Sequence, residues 1–276
     1  GLDCAFWDLF AKNQKLPLNK LLNDESQTHI SVYASGINPS ESQKKIKEAR
    51  AKGIKAFKVK IGFNHSLDID LLKDFLDEDL LKSNIEIFVS QSTGSTNDDA
   101  KNFLSEQSSL LSIHASEQQI AGKGRNGKKW ISPKGKNIYL SIGWLSNLKY
   151  SQLDGLSLAI GTILASSLNS LTQNQVSIKW PNDLMIDKKK ISGILIETVD
   201  LNNQVGVVIG IGMNVHMSEE EGKEIDQSWI SLDAATSSIN DRNEIIGDIL
   251  NKVFQLTSQF TKEGFKPYKS DYESFD

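Results

Sequence analysis

A chain of 276 residues, 38% apolar and 24% charged, is long enough for one large or two ordinary globular domains. The net charge of −4 argues against whole-chain attraction to nucleic acid, and no apolar run approaches the ~20 residues of a bilayer span. No basic leader with an apolar core opens the sequence, and the lone Cys4 cannot form an internal disulfide, so the expected compartment is the cytoplasm.

The first seventy residues read helix, strand, helix, strand. In "LDCAFWDLFAKN" the residues Leu2, Ala5, Phe6, Leu9 and Phe10 form an apolar stripe at helical spacing. "ISVYAS" is a short strand. "PSESQKKIKEARAKG" opens a helix with Ser40 and Gln43 in a capping-box pattern and ends at Gly53. "AFKVKIGF" alternates as a strand does. One such βαβ unit cannot cover both faces of its own strands.

From about Leu71 the pattern changes. Strand "IEIFVS" runs into the polar turn "GSTND" and an amphipathic helix. A basic loop follows, then strand "NIYLSIGW", the long helix "LDGLSLAIGTILASSLNSL", and strands "VSIKW", "KISGILIETV" and "VGVVIGIGMNV". The last third is helical, from "NEIIGDILNKVFQLTSQF" onward. Strands in the middle with helices at the end predict an α+β domain, a mixed sheet with packed helices.

Between Glu117 and Lys136 there are six Lys/Arg and one Glu, a local excess of +5. Within it, "GKGRNGKKW" has the spacing of a P-loop, but Lys129 stands where that loop needs Ser or Thr, and no apolar strand precedes it. Its glycines let backbone N–H groups approach an anion, and Arg125 adds a planar donor fork. The ordinary alternative is a solvated turn, against which Trp130 argues mildly. "KWPNDL" places Lys179, Trp180, Asn182 and Asp183 at a strand exit, where side chains are held rigidly; an Asn-Asp turn is the plain alternative. In "DKKKISGIL", Lys190 is the lysine nearest the buried strand. "VVIGIGMNV" lacks the third glycine of a dinucleotide fingerprint, so close backbone approach at Gly210 and Gly212 explains it better. The four scattered histidines give no zinc spacing, and no G-x-S-x-G occurs.

Each motif is weak alone, but their order is specific. The run from "GSTN" through "GKGRNGKKW", "KWPNDL", "KISGIL" and "IGMNV" to "WISL" resembles the catalytic domain of bacterial biotin protein ligases, over residues 71–276. That resemblance implies ATP-dependent conversion of biotin to biotinyl-5′-adenylate and transfer to a lysine of a biotin carboxyl carrier protein. It implies that Ser95, Thr96, Asn97 and Gln119 bind the ureido end of biotin. Gly122, Gly124, Arg125, Trp130 and Lys190 would close over its tail and carboxylate. Lys179, Asn182, Asn214 and Trp229, with Arg125, would hold the nucleotide. Asp183 would orient the reacting groups, making Arg125, Lys190 and Asp183 the catalytic set. Magnesium would ride on the ATP phosphates near Asn182 and Asn214, not in a protein cage. Members pair through sheet edges, so a homodimer is a further expectation, with no nucleic acid or membrane partner.

The sequence departs from the family pattern at Gly94, where an acidic residue is usual, and at Lys123, where Arg is common. It ends where the small C-terminal β-barrel of bacterial members would begin. Residues 1–70 resemble instead a fragment of the mandelate racemase/enolase superfamily, with Lys58 and Lys60 matching its K-x-K motif. That implies a partial βαβ segment of a broken α/β barrel without the later metal ligands, so no enolate chemistry is expected. Two alternatives remain open: a lipoate or octanoate ligase, and a catalytically impaired biotin-binding module.

Overall fold

The structure is a computed structural model that describes residues 33–37, 56–59, 66–106, 111–201 and 204–275. The chain divides into two compact units, Gly1–Asn64 and His65–Asp276. In the first, strands β1 (Tyr33–Ile37) and β2 (Ala56–Val59) pair in parallel, with Tyr33 opposite Ala56. Parallel neighbours require a crossover connection, as the sequence pattern expects. The expected helices over residues 2–13 and 40–53, and Lys60, lie outside the described residues.

The second unit is built on a seven-stranded mixed sheet. Its strands are β3 (Ile85–Ser90), β4 (Leu111–Ser116), β5 (Ile138–Ser146), β6 (Val176–Lys179), β7 (Asp183–Ile186), β8 (Lys189–Leu201) and β9 (Gln204–Met213). They lie in the order β3-β4-β5-β9-β8-β7-β6. The β3–β4 pair is parallel and is joined through helix α3 (Thr96–Glu106); every other neighbouring pair is antiparallel.

Period-two alternation assigns each strand residue to one of two faces. On β9, Ile209, Ile211 and Met213 enter the main core. Helices α4 (Leu156–Leu171) and α6 (Arg242–Glu263) cover that face, with α1 (Ile69–Lys73), α2 (Glu78–Lys82), α5 (Leu232–Thr236) and α7 (Lys269–Phe275) around them. α4 is apolar nearly all round because it is covered nearly all round, from Leu156 to Leu168. The alternate residues of β9 face the other way. There Val208 packs beneath Ala100 and Leu104 of α3 in a second, small core.

A buried ion pair ties the two ends of this unit together. Arg242, 1% exposed, donates from Nη2 to Glu117 Oε2 at 2.8 Å and from Nη1 to the carbonyl of Asn137 at 3.0 Å. The other oxygen of Glu117 accepts the backbone N–H of Leu67. A fork donor and a carboxylate that satisfy each other and the backbone can be buried; either one alone could not.

Two strands have no counterpart among those expected. β4, "LSIHAS", alternates apolar and polar residues, but all six are buried: Leu111, Ile113 and Ala115 in the main core, and Ser112, His114 and Ser116 on the other face. β7 begins at Asp183, which pairs in register with Lys179. Trp180, Pro181 and Asn182 are therefore the turn of a hairpin, with a cis bond between Trp180 and Pro181.

Candidate active site

The face that carries α3 runs out of large side chains beyond it. Gly210 and Gly212 on β9 and Gly193 on β8 lie there, and Gly193 is the register partner of Gly212. This glycine pavement is the floor of a cleft of about 460 Å³. A Cβ on Gly212 would sit 2.5 Å from Trp130 Cε2, and one on Gly193 would sit 3.1 Å from Trp130 Cζ3. The indole thus lies flat on two strands because neither has a side chain under it. Its buried N–H has no hydrogen-bond partner among the described residues.

One end of the cleft is polar and tightly bonded. Gln119 Oε1 accepts from the backbone N–H of Thr96 at 2.9 Å and from its hydroxyl at 3.1 Å. Ser141 Oγ lies 2.7 Å from Thr96 Oγ1 and 2.6 Å from Asn97 Oδ1. Asn97 Nδ2 donates to Glu197 Oε2 at 2.7 Å, which turns its carbonyl oxygen toward Gly210, 2.2 Å from where a Cβ would stand. Ser95, Thr96 and Asn97 are all buried at the start of α3. A small polar head fits here, because donors and acceptors are fixed by neighbours before it arrives.

The other end is cationic. Lys190 Nζ pairs with Asp183 Oδ1 at 2.8 Å and sits 5.4 Å from the centre of the Trp130 ring, with only 14% of its side chain exposed. Arg125 Nη1 donates to Asn182 Oδ1 at 3.1 Å, while Asn182 Nδ2 donates to the carbonyl of Ile194 at 2.8 Å. Of the cations lining the cleft, Lys123 pairs with Asp98 and Lys129 with Glu224. Arg125 and Lys128 have no carboxylate partner among the described residues, so their charge is available to an anion.

The glycine-rich segment is a tight hairpin roofing this end. Trp130 N donates to Gly122 O at 2.9 Å and Gly124 N to Lys128 O at 2.7 Å, around left-handed residues Asn126 (φ 55) and Gly127 (φ 73). Across the cleft lie residues 224–227 and Trp229, whose ring covers Gly222. Lys190 and Trp229 are joined by a parallel β-bridge, with Lys190 N donating to Ser228 O at 3.0 Å. Asn214, 3% exposed, directly follows β9, and its backbone carbonyl accepts from Leu232 N at 3.0 Å.

Twelve of the fourteen expected site residues therefore line one cleft, the exceptions being Gly122 and Lys179. Gly122 acts one step back: a Cβ there would lie 2.8 Å from Trp130 O and pry the hairpin base open. Lys179 is exposed beside Trp180, outside the lining. The motifs did not reveal Ser141, Glu197 or Gly193. Ser141 and Glu197 are polar residues within apolar stretches of β5 and β8, a signal visible in "YLSIGW" and "GILIETV" but common in any sheet with one open face.

A sheet with this order and cleft is the catalytic fold of biotin protein ligases. The biotin protein ligase of Aquifex aeolicus, solved in complex with biotin and ATP, matches it with a TM-score of 0.56 and 26% identity over 69% of this chain and 78% of that one. The family model of the biotin/lipoate A/B protein ligases matches residues 89–214. The bifunctional ligase/repressor BirA of Escherichia coli is 38% identical over 161 residues, 58% of this chain and 50% of that protein. The biotin–[acetyl-CoA-carboxylase] ligase of Mycobacterium tuberculosis is 31% identical over 202 residues, 67% of this chain and 72% of that protein. The chain belongs to the biotin/lipoate A/B protein ligase family. It spans about half the length of BirA and of several other curated relatives that it matches.

Proposed function

We propose that this chain is a biotin–protein ligase, activating biotin with ATP and passing the acyl group to a lysine of a biotin carboxyl carrier protein. The observation that carries this reading is the convergence of Arg125 and Lys190, from separate hairpins, on the end of a cleft whose other end is a preformed polar pocket.

The first step must bring a carboxylate oxygen onto the α-phosphorus of ATP, forming a C–O–P link while the bond to pyrophosphate breaks. Two anions repel, so the site must hold both against their own charge. Ser95, Thr96, Asn97 and Gln119 fix the ureido ring. The pavement of Gly193, Gly210 and Gly212, with Trp130 across it, shapes the channel for the tail. Lys190 meets the carboxylate or the α-phosphate oxygen, and Arg125 closes from above. Asn182 and Asn214 position phosphate and ribose, and Trp229 offers a face to the adenine.

In the second step the acceptor amine attacks the acyl carbon, and the bond to AMP breaks with the electron pair leaving on phosphate. Asp183 orients that amine. Among the described residues no His, Cys, Asp or Glu cluster could hold a metal ion. Magnesium would ride on the ATP phosphates and neutralise charge on the leaving group. Asn182 Oδ1, bonded to Arg125, and Asn214 Oδ1, bonded to Asn137, would have to give up those donors to serve as supplementary ligands. No helix of the described residues is long and apolar enough to cross a membrane. The proposal places the protein in the cytoplasm with biotin, ATP and the carrier as partners, without nucleic acid, and able to pair through sheet edges.

Biotin-dependent exchange of pyrophosphate into ATP tests the first step without any acceptor, and labelling of a carrier domain read with streptavidin tests the second. Exchange driven by lipoate or octanoate but not biotin would assign the other branch of the family. Tight biotin binding with neither activity would reduce the domain to a binding module.

A further inference from the structure

A chain of charges runs from the polar pocket to the glycine-rich hairpin. Asn97 Nδ2 bonds Glu197 Oε2 at 2.7 Å, and Glu197 Oε1 pairs with Lys101 Nζ at 2.9 Å. Lys101 Nζ pairs with Asp98 Oδ1 at 3.0 Å, and Asp98 Oδ2 pairs with Lys123 Nζ at 2.6 Å. The first member lies in the pocket, the last is in the roof, and the middle three come from α3 and β8.

We propose that Asp98 is a positioning residue that latches the hairpin over the cleft through Lys123, and that Glu197 and Lys101 couple this latch to the pocket residue Asn97. The functional half of this inference rests on the ligase reading; the latch itself does not.

Three observations support it. Lys123 lies at the base of the hairpin, in the bridge with Lys129, so fixing its ammonium fixes where the roof meets the cleft wall. The hairpin's own backbone bonds, Gly122 to Trp130 and Gly124 to Lys128, close it on itself and do not tie it to α3. Finally, the two carboxylates and two ammonium groups alternate in sign, so each polarises the next. Burial raises the Asp98 carboxyl, but Lys123 and Lys101 outweigh it and hold it below its usual range. For Lys101 burial works downward, and Glu197 and Asp98 outweigh it upward.

The Asp98–Lys123 pair is partly exposed, with 39% and 46% of the side chains accessible, so the latch is weak and opens readily. A roof that must admit ligand and later an acceptor lysine needs that property.

Hydrogen–deuterium exchange of the amides of residues 122–130, without ligand, reads the latch directly. Asp98→Asn is expected to speed exchange about two- to fivefold, Asp98→Glu to restore most of the protection, and added salt to speed the wild type but not Asp98→Asn. In a cycle with Lys123→Gln, the double variant should exchange no faster than the faster single one. Unchanged exchange in Asp98→Asn, or additive effects in the cycle, would overturn the latch whatever the protein catalyses. For the functional half, release of adenylate formed from biotin and ATP should quicken by a similar factor in Asp98→Asn. Faster exchange with unaltered release would overturn the link to the site. A wild type that forms no adenylate would sink the ligase reading and that link together, leaving the exchange result to decide the latch.

Discussion

Gly212 lies directly beneath the indole of Trp130, so close that a Cβ would stand 2.5 Å from Cε2 and 2.8 Å from Nε1. Gly212→Ala must therefore lift the ring off the sheet or distort β9. Its backbone is in ordinary strand conformation, so the effect falls on the cleft and not on the chain's freedom to fold. Biotin affinity is expected to fall at least tenfold in calorimetry, with a shifted tryptophan emission and a melting temperature within a few degrees of wild type. Wild-type affinity would show that the indole does not border the ligand.

Arg125 reaches the cleft through a single bond to a neutral partner, Asn182. Its charge becomes fully engaged only when an anion arrives. Arg125→Gly should leave the ligand-free protein as stable as before. It should quicken release of the adenylate about ten- to a hundredfold, the loss of one charge-assisted hydrogen bond. Stopped-flow release of preformed adenylate measures this, and unchanged kinetics would remove Arg125 from the clamp.

Lys190 is held differently, by Asp183 at 2.8 Å and by the Trp130 face at 5.4 Å. It is preorganised before any substrate binds. Lys190→Ala is expected to slow biotin-dependent pyrophosphate exchange about a hundred- to a thousandfold, mostly in kcat. Asp183→Asn should retain much of that exchange while slowing transfer to a carrier lysine. Equal loss of both steps in Asp183→Asn would mean that it serves only to fix Lys190.

How far the sequence discloses this site depends on which residues do the shaping. Arg125, Lys190 and Asn182 are each ambiguous alone, since Lys/Gly-rich loops and Asn-Asp turns are common at any surface; it is the order of their motifs along the chain that picks them out. The glycines themselves are only half legible. "GIGMN" marks Gly210 and Gly212 as places of close approach, but that the approaching group is Trp130, some eighty residues earlier, emerges only when β5, β8 and β9 align Gly212 with Gly193. β4 carries a period of two, with Leu111, Ile113 and Ala115 turned to the main core, but six residues with Ser, His and Ala among them make a short, weak signal beside the longer strands. Lys179 shares a motif with Asn182 and Asp183 and is the register partner of Asp183, on the same face of the sheet. It nevertheless stands exposed on the edge strand β6, outside the cleft lining.

The Glu117–Arg242 pair is buried on both sides, 3% and 1% exposed, and holds Leu67 as well. Arg242→Met is expected to cost about 3–5 kcal/mol, because Glu117 is left charged and without its partner in the core. For a unit of this size that lowers the melting temperature by roughly 10 °C. Adding Glu117→Leu should recover part of the loss, although the Leu67 N–H would then lack its acceptor. A shift below about 2 °C in the single variant would show that water reaches the site.

His114 gives the protein a stability that depends on pH. It lies on β4 beneath α3, stacked on Phe88 at 4.9 Å and edge-on to Phe103 at 5.7 Å, with Nε2 buried and unpartnered among the described residues. Burial holds its imidazole down to about 4, against 6.5 for the free group, and the distant attraction of Asp99 offsets little of this. The folded protein thus binds fewer protons than the unfolded chain between these values. Stability is complete above about pH 6.5 and declines as pH falls toward 4, by up to about 3 kcal/mol in all. Replacing His114 with Phe, which keeps the stack and removes the proton site, should flatten the His114 part of that decline in urea titrations across pH 4–7. A variant that loses stability over this range as steeply as the wild type would place the titrating group elsewhere.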